Sequence, residues 1–324
     1  MTKNLRIVSL FSGCGGMDLG SEGGFKFLSK TYKKHPVEIV QAFEIEPTFV
    51  SIYNLNFNVK AEMNDIRNIE SKDISNHEIL TGGFPCQSFS VVAQNPKRLG
   101  FKDEKGRLFF EICRILKEKS PKVFIAENVK GILSANNKEA FPLIIKEFES
   151  CGYHVKFKVL NASHYGVPQK RERVFIIGFK NKSEFDKFNF PEPLTISNPV
   201  PISLILENED SIPKNYYFSD KAVIGMRSTK NSKSMNKGRA QDIALPCNTV
   251  TAHLAKVSLN STDPVLCING KYRMFTPREV ARIQSFPDRF KLAESRSVQY
   301  RTLGNAVAPV LMWHIMKSVL EALE

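Results

Sequence analysis

Gly82-Gly83-Phe84-Pro85-Cys86-Gln87-Ser88-Phe89-Ser90 follows the short apolar run Glu78-Ile79-Leu80-Thr81. That run reads as a buried strand, and the glycines and proline after it stop regular structure abruptly. One cysteine is thereby left at a strand end, held on stiff backbone by Pro85, while polar Gln87, Ser88 and Ser90 open a long connection. Such a placement suits a nucleophile. Only the thiolate attacks, and an ordinary thiol with a pKa of about 8.5 is ionised to a few per cent near neutrality, so a positive neighbour matters. A lone cysteine is more often a small buried hydrophobe; the surrounding motifs decide for Cys86.

Working outward, the same grammar of apolar strand followed by a functional residue repeats. Arg6-Ile7-Val8-Ser9-Leu10-Phe11 runs into the turn Ser12-Gly13-Cys14-Gly15-Gly16 and a helix start. Bare glycine backbone of this kind lets a ligand approach closely, as in doubly wound sheets. A dinucleotide fingerprint needs a third glycine where Asp18 stands, which argues against a nicotinamide cofactor. Glu38 to Phe43 forms the next strand and delivers Glu44, a carboxylate placed to accept both ribose hydroxyls of a nucleoside, with Ile45 beside it for an adenine face. Asn64-Asp65-Ile66 ends a further short strand. Lys122-Val123-Phe124-Ile125-Ala126 delivers Glu127-Asn128-Val129. A carboxyl group between apolar walls keeps its proton to higher pH and can donate it near neutrality. Helices are expected at 47–57 and from Gly106 through Leu116. Phe11, Glu44, Asp65, Cys86 and Glu127 then share one rim of one sheet, an α/β arrangement.

Composition bounds the rest. The chain has 324 residues and a formal net charge of +13, which favours a polyanionic partner. No apolar run approaches about 20 residues, so no membrane span is expected. The start lacks a signal-peptide pattern, from which a cytoplasmic protein is expected. Six cysteines without C-x-x-C pairs and six histidines without ligand spacing indicate neither a disulfide framework nor a metal site.

Beyond Cys86, residues 91–105 are basic and without helical period, which reads as a loop closing over substrate. Gln169, Arg171 and Arg173 alternate and are expected on one face of an extended segment, able to bind a phosphate or to position Glu127. Prolines from Pro191 to Pro213 mark a domain boundary. The stretch 221–240 carries Arg227, Lys230, Lys233, Lys237 and Arg239 with no acid, a pattern for contacts to a nucleic-acid backbone. Thr276, Pro277 and Glu279 form a helix-start pattern.

Gly-Gly-Phe-Pro-Cys-Gln around Cys86, Glu127-Asn128-Val129, Gln169 to Arg173 and Phe11 to Gly16 occur in the order and spacing that resemble the DNA (cytosine-5) methyltransferase family, from residue 7 to about 312. The resemblance implies a doubly wound, mostly parallel sheet of the S-adenosylmethionine-dependent methyltransferase type with an inserted smaller target-recognition domain. Its boundaries are 1–188 for the catalytic and cofactor-binding domain, 189–287 for target recognition and 288–324 for the return to the catalytic domain. It implies a cofactor, S-adenosylmethionine, held by Phe11, Gly13, Cys14, Gly15, Gly16, Glu44, Ile45, Asp65 on the adenine amino group, Ile66, Pro85, Leu108, Asn305 and Val307. The last apolar helix is expected to return beside the first glycine turn. Cys86 would add to C6 of a flipped-out cytosine while Glu127 protonates N3, with Arg171 the stronger and Arg173 the weaker catalytic candidate. Double-stranded DNA would be held by Gln87, Ser88, Ser90, Gln169, Arg227, Lys230, Arg239 and Thr249. The family pattern also implies a monomer, bacterial and nucleoid-associated, with any companion restriction endonuclease acting separately. The rival readings are a transfer-RNA methyltransferase, whose Cys-Phe-Thr signature is absent, and a DNA-binding regulator without activity.

Overall fold

The computed structural model describes residues 4–84, 108–228, 239–255 and 263–324, the side chains of 136–137 and 226–228 excepted. Pro85, Cys86, Gln87, Ser88, Ser90, the 91–105 loop, Lys230 and the side chain of Arg227 lie outside the described residues.

Strand β1 (Leu5–Leu10) leads through the glycine turn into α1 (Gly16–Glu22), and a small hairpin of β2 (Phe25–Phe27) and β3 (Lys30–Tyr32) follows. Next come β4 (Val37–Glu44), α2 (Pro47–Asn56), β5 (Ala61–Met63), β6 (Ile79–Gly83), α3 (Leu108–Lys119), β7 (Val123–Val129) and α4 (Ala140–Ser150). The sheet is completed by β8 (His154–Asn161) and β10 (Glu172–Phe179), with the short β9 (Gln169–Lys170) between them and α5 (Lys182–Lys187) after. The remainder contributes α6 (Asp220–Ser228), β11 (Cys247–Asn248), β12 (Leu266–Ile268), β13 (Lys271–Arg273), α7 (Pro277–Ile283), α8 (Arg296–Asn305) and α9 (Pro309–Leu323).

Seven strands form the main sheet in the order β5-β4-β1-β6-β7-β10-β8. The first five are mutually parallel, and β10 runs antiparallel to both β7 and β8. Ile7, Val8 and Leu10 of β1, Ile79 and Leu80 of β6 and Val123 and Ile125 of β7 are buried, as the near-continuous apolar runs in these segments require of central parallel strands. The order reverses about β1, whose chain-order successor in the sheet lies on one side and β6 on the other. At such a switch point the connections diverge and leave a crevice outside the strands' carboxyl ends.

Strand β7 is longer than the sequence suggests. Glu127 and Asn128 are part of its ladder, paired with Phe175 and Val174, because the antiparallel β10 extends alongside them. Glu127 therefore sits on rigid sheet rather than on the loop after it.

The chain's end returns to its beginning. α9 packs on α1, and the glycines there are required by contact: a Cβ on Gly16 would lie 2.2 Å from the Val307 carbonyl oxygen. By length and composition alone 296–323 is apolar enough to cross a membrane, unlike the expectation for the chain. It is two helices, and α9 buries Val310, Leu311, Ile315, Met316 and Val319 in the protein core. Ile202, Ile205, Val250, Leu266 and Phe275 from the 189–287 stretch share that core with α9. The second face of the sheet is covered by α3 and α4 through Phe109, Ile112, Ile144 and Phe148. The helix-start pattern forms as read: the Thr276 side chain accepts from Glu279 N, Glu279 accepts from Thr276 N, and Pro277 opens α7.

Candidate active site

A cavity of about 720 Å³ opens at the carboxyl ends of β1, β4, β6 and β7. Phe11, Gly13, Cys14, Gly16, Glu44, Ile45, Asp65, Ile66, Leu108, Asn305 and Val307 all line it, although they come from five separate stretches of chain. Gly15 does not line it. It takes a left-handed φ of +85° as the residue before α1, and a Cβ there would lie 2.2 Å from the Phe57 ring, so its task is to let α2 pack beneath the turn.

The turn is held from below. Ser9 Oγ donates to Asp18 Oδ1 at 2.7 Å, and Ser12 Oγ lies 3.0 Å from Ser9 Oγ. Asp18 is fully buried, and burial pushes its pKa up to about 6. Phe11, at the end of β1, has a left-handed backbone with φ +54°, a conformation that costs a non-glycine residue energy and recurs at ligand sites. The Gly13 N–H donates to Glu44 Oε2 at 2.8 Å, and Ile45 and Glu46 N–H groups donate to Oε1 at 2.9 Å. Burial raises the Glu44 pKa against the pull of these three donors. The carboxylate is thus fixed in direction at the cavity wall, while Ile45 stands 60% exposed at its edge.

Asp65 is paired with Arg67, whose Nη2 lies 2.5 Å from Oδ2, and this ion pair holds its carboxyl below the usual range. Arg67 also lines the cavity, and the sequence reading missed it. Phe49 and Thr302 were missed likewise. The signal for Phe49 was a helical position four residues past Ile45; for Thr302, its place one turn before Asn305.

Glu127 also lines this cavity. Burial raises its pKa, opposed first by Arg173 and then by Arg171. Arg173 Nε is 3.1 Å from Glu127 Oε1. Gly83 pairs with Glu127 across the β6–β7 ladder, and a Cβ on Gly83 would come within 3.2 Å of Glu127 Oε2. A glycine at 83 therefore makes room for the carboxyl directly beside the strand that leads into Pro85 and Cys86. Asn128 donates from Nδ2 to the Phe84 carbonyl at 3.0 Å, fixing the last described residue before that segment.

Three expectations need correction. Arg171 is buried and donates to the Val250 carbonyl at 3.2 Å and the Gly304 carbonyl at 2.9 Å. It joins three parts of the chain, whereas Arg173 makes the direct contact with Glu127. Gln169, expected at DNA, is 0% exposed: it donates to Gln284 Oε1 at 2.8 Å and accepts from Val250 N at 3.0 Å. Gln169 and Arg171 both bond to Val250, so that side of the segment faces the protein interior. Arg239, expected at a phosphate, is 4% exposed and donates to the Asp263 carbonyl at 3.1 Å. Thr249 is half-buried, and its hydroxyl donates to the Lys170 carbonyl at 2.7 Å. Gln284, which the sequence reading passed over, links Gln169 to the Leu303 carbonyl at 2.6 Å and so to the cavity wall.

This arrangement can hold a nucleoside-sized ligand against a directed carboxylate and apolar walls, and can present one protonatable carboxyl to a second ligand. Comparison with known proteins shows the family to which the chain belongs. The family described as C-5 cytosine-specific DNA methylase matches residues 5–321. The type II methyltransferase M.FnuDI of Fusobacterium nucleatum is 36% identical over 98% of this chain and 95% of its own length. M.Bsp6I, a type II methyltransferase of a Bacillus species, is 35% identical over 98% of this chain and 99% of its own. The solved structure of the Entamoeba histolytica methyltransferase EhMeth superposes with a TM-score of 0.79 at 19% identity, covering 100% of both chains, a likeness of fold. The chain belongs to the C-5 cytosine-specific DNA methylase family.

Proposed function

We propose that this protein methylates C5 of a flipped-out cytosine in duplex DNA, using S-adenosylmethionine, through a transient bond between the Cys86 sulfur and C6. The observation that carries this reading is the Glu127 carboxyl: buried, raised in pKa, 3.1 Å from Arg173 and set over Gly83 on the strand leading to Cys86. An acid held in that state can give a proton to cytosine N3 at neutral pH.

The cavity fits the cofactor. Its volume of about 720 Å³ lies in the range of small-molecule sites. Glu44 supplies a fixed acceptor for vicinal hydroxyls, and Phe11, Ile45, Ile66 and Leu108 supply apolar walls for a purine. When bound, S-adenosylmethionine supplies an activated methyl group on a sulfonium, and C5 of the cytosine is the carbon that receives it. The chain's own residues prepare that carbon. The Cys86 thiolate adds to C6 as Glu127 protonates N3, and the electron pair of the ring then resides at C5. After methylation C5 loses its proton to a base such as water, the same electrons expel the thiolate, and N3 returns its proton to the Glu127 carboxylate. Covalent addition divides one hard substitution into two easier steps. A base buried in the stack cannot be reached in this way, so the cytosine leaves the duplex. We assign target reading to 189–287, on the strength of its own hairpin β12–β13 and its basic stretch.

The test is methyl transfer from labelled S-adenosylmethionine to duplex DNA and, separately, to transfer RNA. Transfer to DNA is expected, with loss in Cys86→Ala and covalent trapping on DNA containing 5-fluorocytosine. Transfer confined to RNA, or an active Cys86→Ala, overturns the reading.

A further inference from the structure

Arg301 lies on α8, next to cavity-lining Thr302 and one turn before Asn305. Its guanidinium reaches the junction of β4 and α2, more than 250 residues earlier in the chain. Nη2 donates to Glu46 Oε1 at 3.1 Å and to Thr48 Oγ1 at 2.8 Å, and its central carbon stands 5.2 Å from the centroid of the Phe49 ring. Phe49 is itself a wall of the cavity. Thr48 Oγ1 donates to the same Glu46 oxygen at 2.9 Å, and the Glu46 N–H donates to Glu44 Oε1 at 2.9 Å. A continuous set of contacts thus joins the wall built by the returning end of the chain to the carboxylate at the end of β4.

We infer that Arg301 is a positioning residue for the nucleoside end of the cofactor: it clasps 46–49 to α8 and so fixes the spacing between the Glu44–Phe49 wall and the Thr302–Val307 wall. The inference rests on the reading of this cavity as the S-adenosylmethionine site. Four features act together at one point, namely an ion pair, a hydroxyl contact, a ring face and a backbone link to Glu44. An exposed ion pair alone contributes little, and both partners here are about four-tenths exposed. The effect is therefore expected in ligand affinity, which depends on wall spacing, rather than in global stability. Arginine suits the place because one nitrogen, Nη2, meets both oxygens while the delocalised guanidinium stays within reach of the Phe49 ring.

The experiment is calorimetric titration of S-adenosylhomocysteine into the wild type, Arg301→Met, Arg301→Lys, Glu46→Gln and the Arg301→Met/Glu46→Gln double variant, with thermal melts of each free protein. Arg301→Met is expected to bind about 3- to 10-fold more weakly at an unchanged melting temperature, Arg301→Lys to recover part of the loss, and the double variant to bind no worse than Arg301→Met. In turnover, KM for the methyl donor should rise more than kcat falls. A dissociation constant for Arg301→Met within twofold of wild type, or losses that add in the double variant, overturns the inference. So does a loss that tracks a lowered melting temperature and is not recovered by lysine, since that is a merely structural residue. Wild type that binds no S-adenosylhomocysteine instead overturns the reading of the cavity itself.

Discussion

Arg173 Nε lies 3.1 Å from Glu127 Oε1, both side chains being largely withdrawn from water. Burial pushes the carboxyl toward its neutral form and the neighbouring guanidinium pulls it back, with burial the larger effect, so its pKa is raised.

Glu127→Gln keeps the shape and removes the proton. Methyl transfer in a single turnover should fall by about 100- to 10,000-fold, while binding of S-adenosylhomocysteine stays near wild type. For the unaltered enzyme, the rate that depends on the protonated acid should decline as pH rises through the raised Glu127 pKa. Arg173→Met removes the first opposing charge, so the acid form persists further. Its maximum rate should be lower, but that alkaline limb should move to higher pH, and a pH–rate profile of the two proteins reads the displacement directly.

Arg171 and Arg173 should separate by kind of damage. Arg171 satisfies the Val250 and Gly304 carbonyls, and its removal leaves buried acceptors unpaired at the junction of three segments. Arg171→Met should lower unfolding free energy by about 3 kcal/mol, whereas Arg173→Met should lower it by less and act chiefly on the chemical step. Denaturant titration beside single-turnover kinetics distinguishes them.

Asp18 gives a stability prediction with a definite sign. Its folded pKa, about 6, is above that of an unfolded aspartate. The folded state therefore holds its proton over a range where the unfolded chain has lost it. The associated stabilisation is fully present below about pH 4 and is lost as pH rises to 6, by on the order of 3 kcal/mol. Asp18→Asn, which keeps an acceptor for Ser9, should be neutral to stability at pH 4 and stabilising at pH 7 in thermal melts.

Gly16→Ala should disturb two functions at once. The new methyl group would meet the Val307 carbonyl at 2.2 Å, with the Phe286 ring at 3.3 Å, leaving it no free direction. Loss of about 1–3 kcal/mol is expected. Because Val307 lines the cavity, affinity for S-adenosylhomocysteine should fall as well, measured by titration below the melting temperature.

Much of this was legible in order along the chain. The strands ending at Phe11, Glu44 and Gly83 announce themselves as apolar runs cut off by glycine or acid, and a buried parallel sheet admits few other patterns. Eleven of the thirteen cofactor residues inferred from the sequence line one cavity, since a residue at a strand's carboxyl end is placed by local structure alone. The capping of α7 by Thr276 was readable for the same reason. Gln169, Arg171 and Arg239 were misplaced because alternation and local charge do not say which face of a segment meets the core. Gln169 and Arg171 both bond to Val250, 81 and 79 residues further along the chain.

The amino-acid order by itself determined the kind of sheet and the rim on which the cavity-lining side chains stand, because strand periodicity and glycine turns are local and act within a few residues. Tertiary structure alone decided which arginine meets Glu127, which polar groups are spent on backbone carbonyls, and how Arg301 reaches Glu46. Those outcomes depend on distances between segments far apart in the chain. Such distances are set by how whole faces pack, which no short stretch of residues encodes.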